Sequence, residues 1–241
     1  MTLLIISTNN ESLQFEKAMQ AAGINCLQAF NADNWRESDD EGLITVDFMH
    51  DSATKKAERL MAYTSKSAIV LCSTLCCTAT DVMGRLENKL PVIGINGLTN
   101  TWIEGKTVEI APAMQCPPEA IAKVGYMLGT AGFSVEYVED RTALVSARIL
   151  ATLINEAAFS VLENVAAPGD IDTAMKLGVN YPKGLLAWAD EIGIDNIVRI
   201  LDALYEEYHQ ERYRACVLLR QFVRAGRLGR SVGRGFYTYE N

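Results

Sequence analysis

Histidine is scarce in this chain. There are 2 in 241 residues, His50 and His209, so any imidazole chemistry rests on one of them. Basic residues are outnumbered, 22 Lys and Arg against 30 Asp and Glu, for a formal net charge of −8. That balance excludes general affinity for nucleic acid or an anionic membrane, either of which needs a clustered basic face. Long apolar runs are missing too. Ala68-Ile69-Val70-Leu71-Cys72 is strand-sized, whereas a bilayer-spanning helix needs about 20 residues. The opening Met1-Thr2-Leu3-Leu4-Ile5-Ile6-Ser7 lacks a basic leader and reads as a strand rather than a signal peptide. A soluble, cytoplasmic protein with no membrane or nucleic-acid partner is expected. The 6 cysteines include a crowded group, Cys72, Cys76 and Cys77, with no second pair at zinc-ribbon spacing. Buried free thiols are the plain reading, a redox or nucleophilic role the competing one, and no metal is expected.

What is present is an ordinary packed composition, 49% hydrophobic and 22% charged, in a length that suits one large domain or two modest ones. Apolar strand-like runs at residues 3–7, 24–30, 43–48, 68–71, 92–95, 108–111 and 134–138 are separated by helical patterns at 12–22, 52–63, 78–86 and 118–128. Gly23 suits a helix stop, Ser52 a helix cap, and Pro117-Pro118 a first helical turn. Residues 31–42 are acidic and read as a surface loop. Strands alternating with short helices imply a mainly parallel sheet covered by helices. After Asp140 the pattern turns helical. A long helix is expected over 142–165, then one capped by Asp170, then helices at 185–192, 195–208 and 215–225. The expected organisation is an α/β domain over 1–138 followed by an all-α domain over 139–241.

The second half resembles the helical C-terminal domain of the 3-hydroxyacyl-CoA dehydrogenases. The resemblance rests on Arg148-Ile149-Leu150, on Leu153 to Ala157, and on Gly169-Asp170-Ile171-Asp172-Thr173-Ala174-Met175-Lys176-Leu177-Gly178. It continues through Tyr181-Pro182-Lys183-Gly184 and Gly226-Arg227-Leu228-Gly229-Arg230 to Gly233-Arg234-Gly235-Phe236-Tyr237. The resemblance implies a Rossmann domain that binds NAD, then a helical domain supplying the dimer interface and part of the substrate cleft. The first half here is similar to a reduced Rossmann domain, like the second, degenerate module of the long two-module members.

The departures from the family pattern fall on its functional positions. Where the family has Gly-x-Gly-x-x-Gly, this chain has Ser7, Asn9 and Ser12, with Glu11 adding negative charge. Those glycines let backbone approach a pyrophosphate at a helix N-terminus, and side chains there obstruct it. The ribose-binding acid aligns with Phe30. The catalytic His of the family's Gly-Leu-His-Phe-Phe-Asn-Pro stretch falls on Asn96, within Gly94-Ile95-Asn96-Gly97. An amide cannot act as a base near neutral pH. The family's polar partners fall on Leu75 and Ala147, and Glu109 matches the Glu that orients the base. No NAD or other cofactor is therefore expected. The expected role is a non-catalytic module or subunit of acyl-CoA oxidation, a homodimer or a heteromer with a complete 3-hydroxyacyl-CoA dehydrogenase. The alternatives are an active dehydrogenase with an unrecognised base, and an acyl-CoA binder without turnover. His50 reads as a solvated loop residue facing the old cofactor cleft at most, and His209 as a surface group. Lys55 and Lys56 read as an ordinary charged helix face. Arg220, Arg224, Arg227, Arg230 and Arg234 read either as packing partners of the tail or as residual contacts to CoA phosphates.

Overall fold

Thr2–Ile6 and Leu43–Asp47 are strands buried at every residue. They pair in parallel as β1 and β3 at the centre of the sheet, where both faces are covered and an unbroken apolar run is therefore favoured over alternation. The computed structural model describes residues 2–7, 11–28, 43–63, 67–87, 89–98 and 107–240. It divides the chain into two compact units, Met1–Val145 and Ser146–Asn241.

In the first unit, β2 (Asn25–Gln28), β4 (Ser67–Ser73), β5 (Val92–Ile95), β6 (Thr107–Pro112) and β7 (Ser134–Tyr137) complete a seven-stranded sheet of order β2-β1-β3-β4-β5-β6-β7. All neighbouring pairs are parallel except β5 with β6. The helices are α1 (Glu11–Ala21), α2 (Ala53–Met61), α3 (Ala79–Arg85) and α4 (Pro118–Thr130). Gly23 ends α1 with φ 76°, the left-handed conformation that glycine adopts without steric cost. Leu3, Leu4, Ile5, Phe15, Ile44, Val70 and Leu71 are all below 2% exposed. Each such side chain contributes about 1.5–3 kcal/mol of burial. From β1 the chain goes first to β2 and later to β3 on the opposite side, so a topological switch point lies at the carboxyl ends of β1 and β3.

The second unit contains α5 (Ser146–Leu162), α6 (Pro168–Gly178), α7 (Leu185–Ile192), α8 (Ile194–Tyr208) and α9 (Val217–Arg224). Buried Asn155 ties α5 to the start of α9. It accepts from the Cys216 N–H at 2.8 Å and donates to the Arg214 carbonyl at 3.0 Å. Two further buried carboxylates hold the tail. Asp190 accepts from the N–H groups of Phe236 and Tyr237 at 2.8 and 2.9 Å and from the Tyr239 hydroxyl at 3.0 Å. Asp172 accepts from the N–H groups of Leu186 and Ala187 and from the Tyr237 hydroxyl. Burial, with Asp190 close by, pushes the Tyr239 phenol up to about 12, so it stays a donor throughout the physiological range.

Three expectations need correction. The long helix begins at Ser146 rather than 142, because Ala143 and Leu144 take φ values of 65° and 49°, outside the helical region. Residues 139–145 go with the first unit instead of opening the helical part, which moves the boundary to 145/146. Asp140 accepts from the N–H groups of Ala79 and Thr80 at 2.8 and 2.7 Å, and the Ala143 N–H donates to the Thr74 carbonyl at 2.8 Å. Asp170 does not cap α6: Pro168 opens that helix after Ala167, and Asp170 lies in its first turn. Ser52 does hold the cap position of α2, yet its hydroxyl makes no capping bond.

Candidate functional site

The carboxyl ends of β1, β3, β4 and β5 line up side by side, and each delivers a polar group to the same rim of the sheet. Ser7 follows β1, His50 follows β3, Ser73 ends β4 and Asn96 follows β5. All four are buried, at 5, 7, 0 and 1% exposure.

Asn96 is fixed from both sides. Its N–H donates to the Glu109 carbonyl at 3.3 Å, and its Oδ1 accepts from the Leu98 N–H at 2.9 Å. The Glu109 carboxylate accepts from the Val145 N–H at 3.3 Å. The structure thus brings Asn96 and Glu109 together at the β5–β6 pair. Leu75 is fully buried in the bend after β4, and Ala147 is buried on α5. Ser12 is buried on α1. Asn9 and Phe30 lie outside the described residues.

His50 is not a solvated loop residue. Its Nδ1 lies 3.1 Å from Ser73 Oγ, and its ring packs on Gly97. A Cβ at Gly97 would come within 2.8 Å of Ser73 Cβ and 2.9 Å of His50 Cε1, so only glycine fits there without displacing the pair. The sequence hides this arrangement because the three residues come from three separate strand ends. His209 is exposed, capping α8 in a left-handed conformation.

Lys55 is exposed, whereas Lys56 is fully buried and is no part of a charged outer face. Its Nζ donates to the Met49 carbonyl and lies 3.7 Å from Asp47 Oδ2. Burial pulls the Lys56 ammonium down, but the buried Asp47 carboxylate together with Cys72 and Cys77 outweighs this and leaves it above its ordinary value. Asp47 also accepts from Arg59 at 2.7 Å, and Arg59 reaches Asp51 at 2.9 Å. Breaking such a pair from one side would leave an uncompensated buried charge, a loss of about 3–5 kcal/mol. The signal for this network was an acid closing an apolar strand ahead of a basic helix.

The cysteines are free thiols. Burial pushes Cys72 up to about 12 and Cys116 to about 11, far from the range of a reactive thiolate. Among the described residues no group of three or more His, Cys, Asp or Glu is placed to hold a metal. Of the tail arginines, Arg220 pairs with Asp202, Arg227 donates to the Gly235 carbonyl and stacks on Phe222, and Arg230 stacks on Tyr239. These three serve packing; Arg224 and Arg234 are exposed.

Comparison with known proteins agrees with this architecture. The family model described as the 3-hydroxyacyl-CoA dehydrogenase C-terminal domain matches residues 144–239. A 3-hydroxybutyryl-CoA dehydrogenase of Bradyrhizobium diazoefficiens is 32% identical over 213 residues, covering 83% of this chain and 70% of that protein. The 3-hydroxyadipyl-CoA dehydrogenase of Escherichia coli is 36% identical over 190 residues, 78% of this chain and 38% of its own length. The chain spans less than half the length of several curated relatives that it matches. In fold it is similar to the crystal structure of an (S)-3-hydroxybutyryl-CoA dehydrogenase from Ralstonia eutropha. The TM-score is 0.79 at 22% identity, covering 100% of this chain and 99% of that one.

Proposed function

Since the chain belongs to the 3-hydroxyacyl-CoA dehydrogenase family, we propose that it is a catalytically degenerate member serving CoA-thioester metabolism. It acts as a cytoplasmic module or subunit through its helical unit, not by turnover. The observation that carries this reading is Asn96. At the position of the family's base it presents a buried amide whose oxygen is engaged by the Leu98 N–H, and an amide takes no proton from a hydroxyl. Apolar, buried Leu75 and Ala147 at the polar-partner positions support the same reading.

The residues present do not fit NAD in the family's manner. Residues 7–12 read Ser7-Thr8-Asn9-Asn10-Glu11-Ser12, with none of the glycines through which the family motif admits a pyrophosphate. Ser7 and Ser12 are themselves buried. Titration of NAD by calorimetry is expected to show no saturation up to millimolar cofactor. A micromolar dissociation constant would sink this reading of the turn.

Association is the proposed mode of action. The inner face of α5, with Leu150, Ala151, Ile154 and Ala158, packs within its own unit. Ile149 on the same helix is 54% exposed and Leu162 40%, and Val165, Leu177 and Val217 are 70, 81 and 53% exposed. Exposed apolar side chains such as Ile149 and Leu162 on one helix are candidates for a partner surface. The partner is a second copy or a complete dehydrogenase. Ile149→Asp is the informative substitution, since a charge at fully buried Ile154 would disrupt the unit itself. The expected result in sedimentation velocity is an associated wild type, alone or with the complete enzyme, and a dissociated variant. A wild type that stays monomeric in both settings would remove the association reading.

A further inference from the structure

Among the described residues of the first unit, the turn at 142–145 is the place where two consecutive non-glycine residues take positive φ. Ala143 and Leu144 stand consecutively in the left-handed region, φ 65° and 49°, and neither is a glycine or an Asn. A Cβ is disfavoured there by its clash with the carbonyl oxygen. Both side chains are buried, at 0 and 2% exposure. Bonds to three acceptors help to hold the turn. The Leu144 N–H donates to the Arg141 carbonyl at 3.0 Å and the Ala143 N–H to the Thr74 carbonyl at 2.8 Å. The Val145 N–H, which closes the turn, goes to the Glu109 carboxylate at 3.3 Å. The upstream end is anchored separately by Asp140 on α3.

The geometry points to a strained latch: residues 141–145 form a strap that opens as a unit, separately from the sheet core, and the Glu109 carboxylate sets how often it opens. Opening breaks the Thr74 and Glu109 bonds but returns the strain of two left-handed residues. It therefore costs less than opening β3, buried at every residue, or β4, buried at all but Ala68, neither of which carries such strain. Glu109 is a positioning residue in this account, acting on the strap through the Val145 N–H. The proposal stands on the geometry of the turn and is independent of whether the chain turns over substrate.

Amide hydrogen exchange on the full chain tests it, comparing residues 141–145 with β3 and β4. In the wild type the strap is expected to exchange faster than those strands. Glu109→Ala removes a charged acceptor and is expected to raise exchange at Val145 and its neighbours roughly tenfold, leaving the core strands unchanged. Glu109→Gln retains an acceptor and is expected to lie close to wild type. Ala143→Gly relieves strain in the closed form and is expected to slow strap exchange about two- to fivefold. In the combined variant the Glu109→Ala effect is partly offset. Should Glu109→Ala not fold, Ala143→Gly alone decides. A strap that exchanges at the rate of the core, ignores Ala143→Gly, or responds to Glu109→Ala only as part of a uniform rise overturns the proposal.

Discussion

Gly229→Ala is expected to unfold the helical unit under conditions where the wild type is folded. Gly229 has φ 113° and ψ −148°, a region that side-chain-bearing residues scarcely visit. A Cβ there would lie 2.7 Å from Asp190 Cα and 2.8 Å from its carbonyl carbon. These are backbone atoms of α7, which cannot rotate away. The Asp190 segment cannot retreat without losing the bonds that its carboxylate accepts from Phe236, Tyr237 and Tyr239. The Gly229 N–H and carbonyl also bond Arg234 at 2.9 and 3.0 Å, and the preceding Leu228 carbonyl accepts from Ile194 at the start of α8. Strain and overpacking together cost about 3–5 kcal/mol, a large share of the total stability of a domain. Gly226→Ala is the control. Gly226 also has positive φ, 69°, but nothing lies within 4 Å of its Cβ position. It pays for backbone strain alone, about 1 kcal/mol. Urea unfolding followed by helix content is expected to separate the two variants by several-fold in lost stability. Equal losses would show that the close approach to Asp190 carries no weight.

The contrast between these glycines also marks what could be read from the sequence. The alternation of apolar runs and helical patterns located every described strand, because residues such as Leu3, Ile44, Val70 and Ile93 must leave water wherever they end up. Asn96 and Leu75 could be proposed as altered family positions from the sequence because the motif around each is local. Long-range partners left no such mark. His50 looked like a loop residue because Ser73 and Gly97, which bury it, come from β4 and the end of β5. Lys56 looked like helix surface because the acid that makes its burial tolerable, Asp47, belongs to a neighbouring strand. The helix start at Ser146 was missed because Ala143 and Leu144 are ordinary helix formers; Thr74 and Glu109, far off in sequence, support their left-handed turn. Asp172 and Asp190 sat unremarked inside helices whose apolar neighbours dominated the pattern.

Asn96→His is expected to leave the chain without measurable reduction of acetoacetyl-CoA by NADH, like the wild type. If a missing base were the sole defect, restoring the imidazole would recover about 10²–10⁴-fold in rate. Three local facts oppose recovery. The Leu98 N–H, which bonds Asn96 Oδ1 at 2.9 Å, loses that acceptor. The Glu109 carboxylate that would orient an imidazole is turned to the Val145 N–H. The residue that follows, Gly97, leaves no room for the aromatic side chain that the family motif carries after its base, since His50 and Ser73 occupy that space. Beyond the rim, residues 7–12 carry no glycine where the family's pyrophosphate-binding motif has three, and on the proposed reading a restored base would have no hydride donor to work with. Following NADH absorbance in parallel with NAD calorimetry separates the two defects. No cofactor saturation up to millimolar NAD and no turnover in either form are the expected outcome. A gain of about 10²-fold or more in Asn96→His would mean that cofactor and substrate still meet in this crevice. The chain would then be a dehydrogenase lacking one residue, not a module that has given up the reaction.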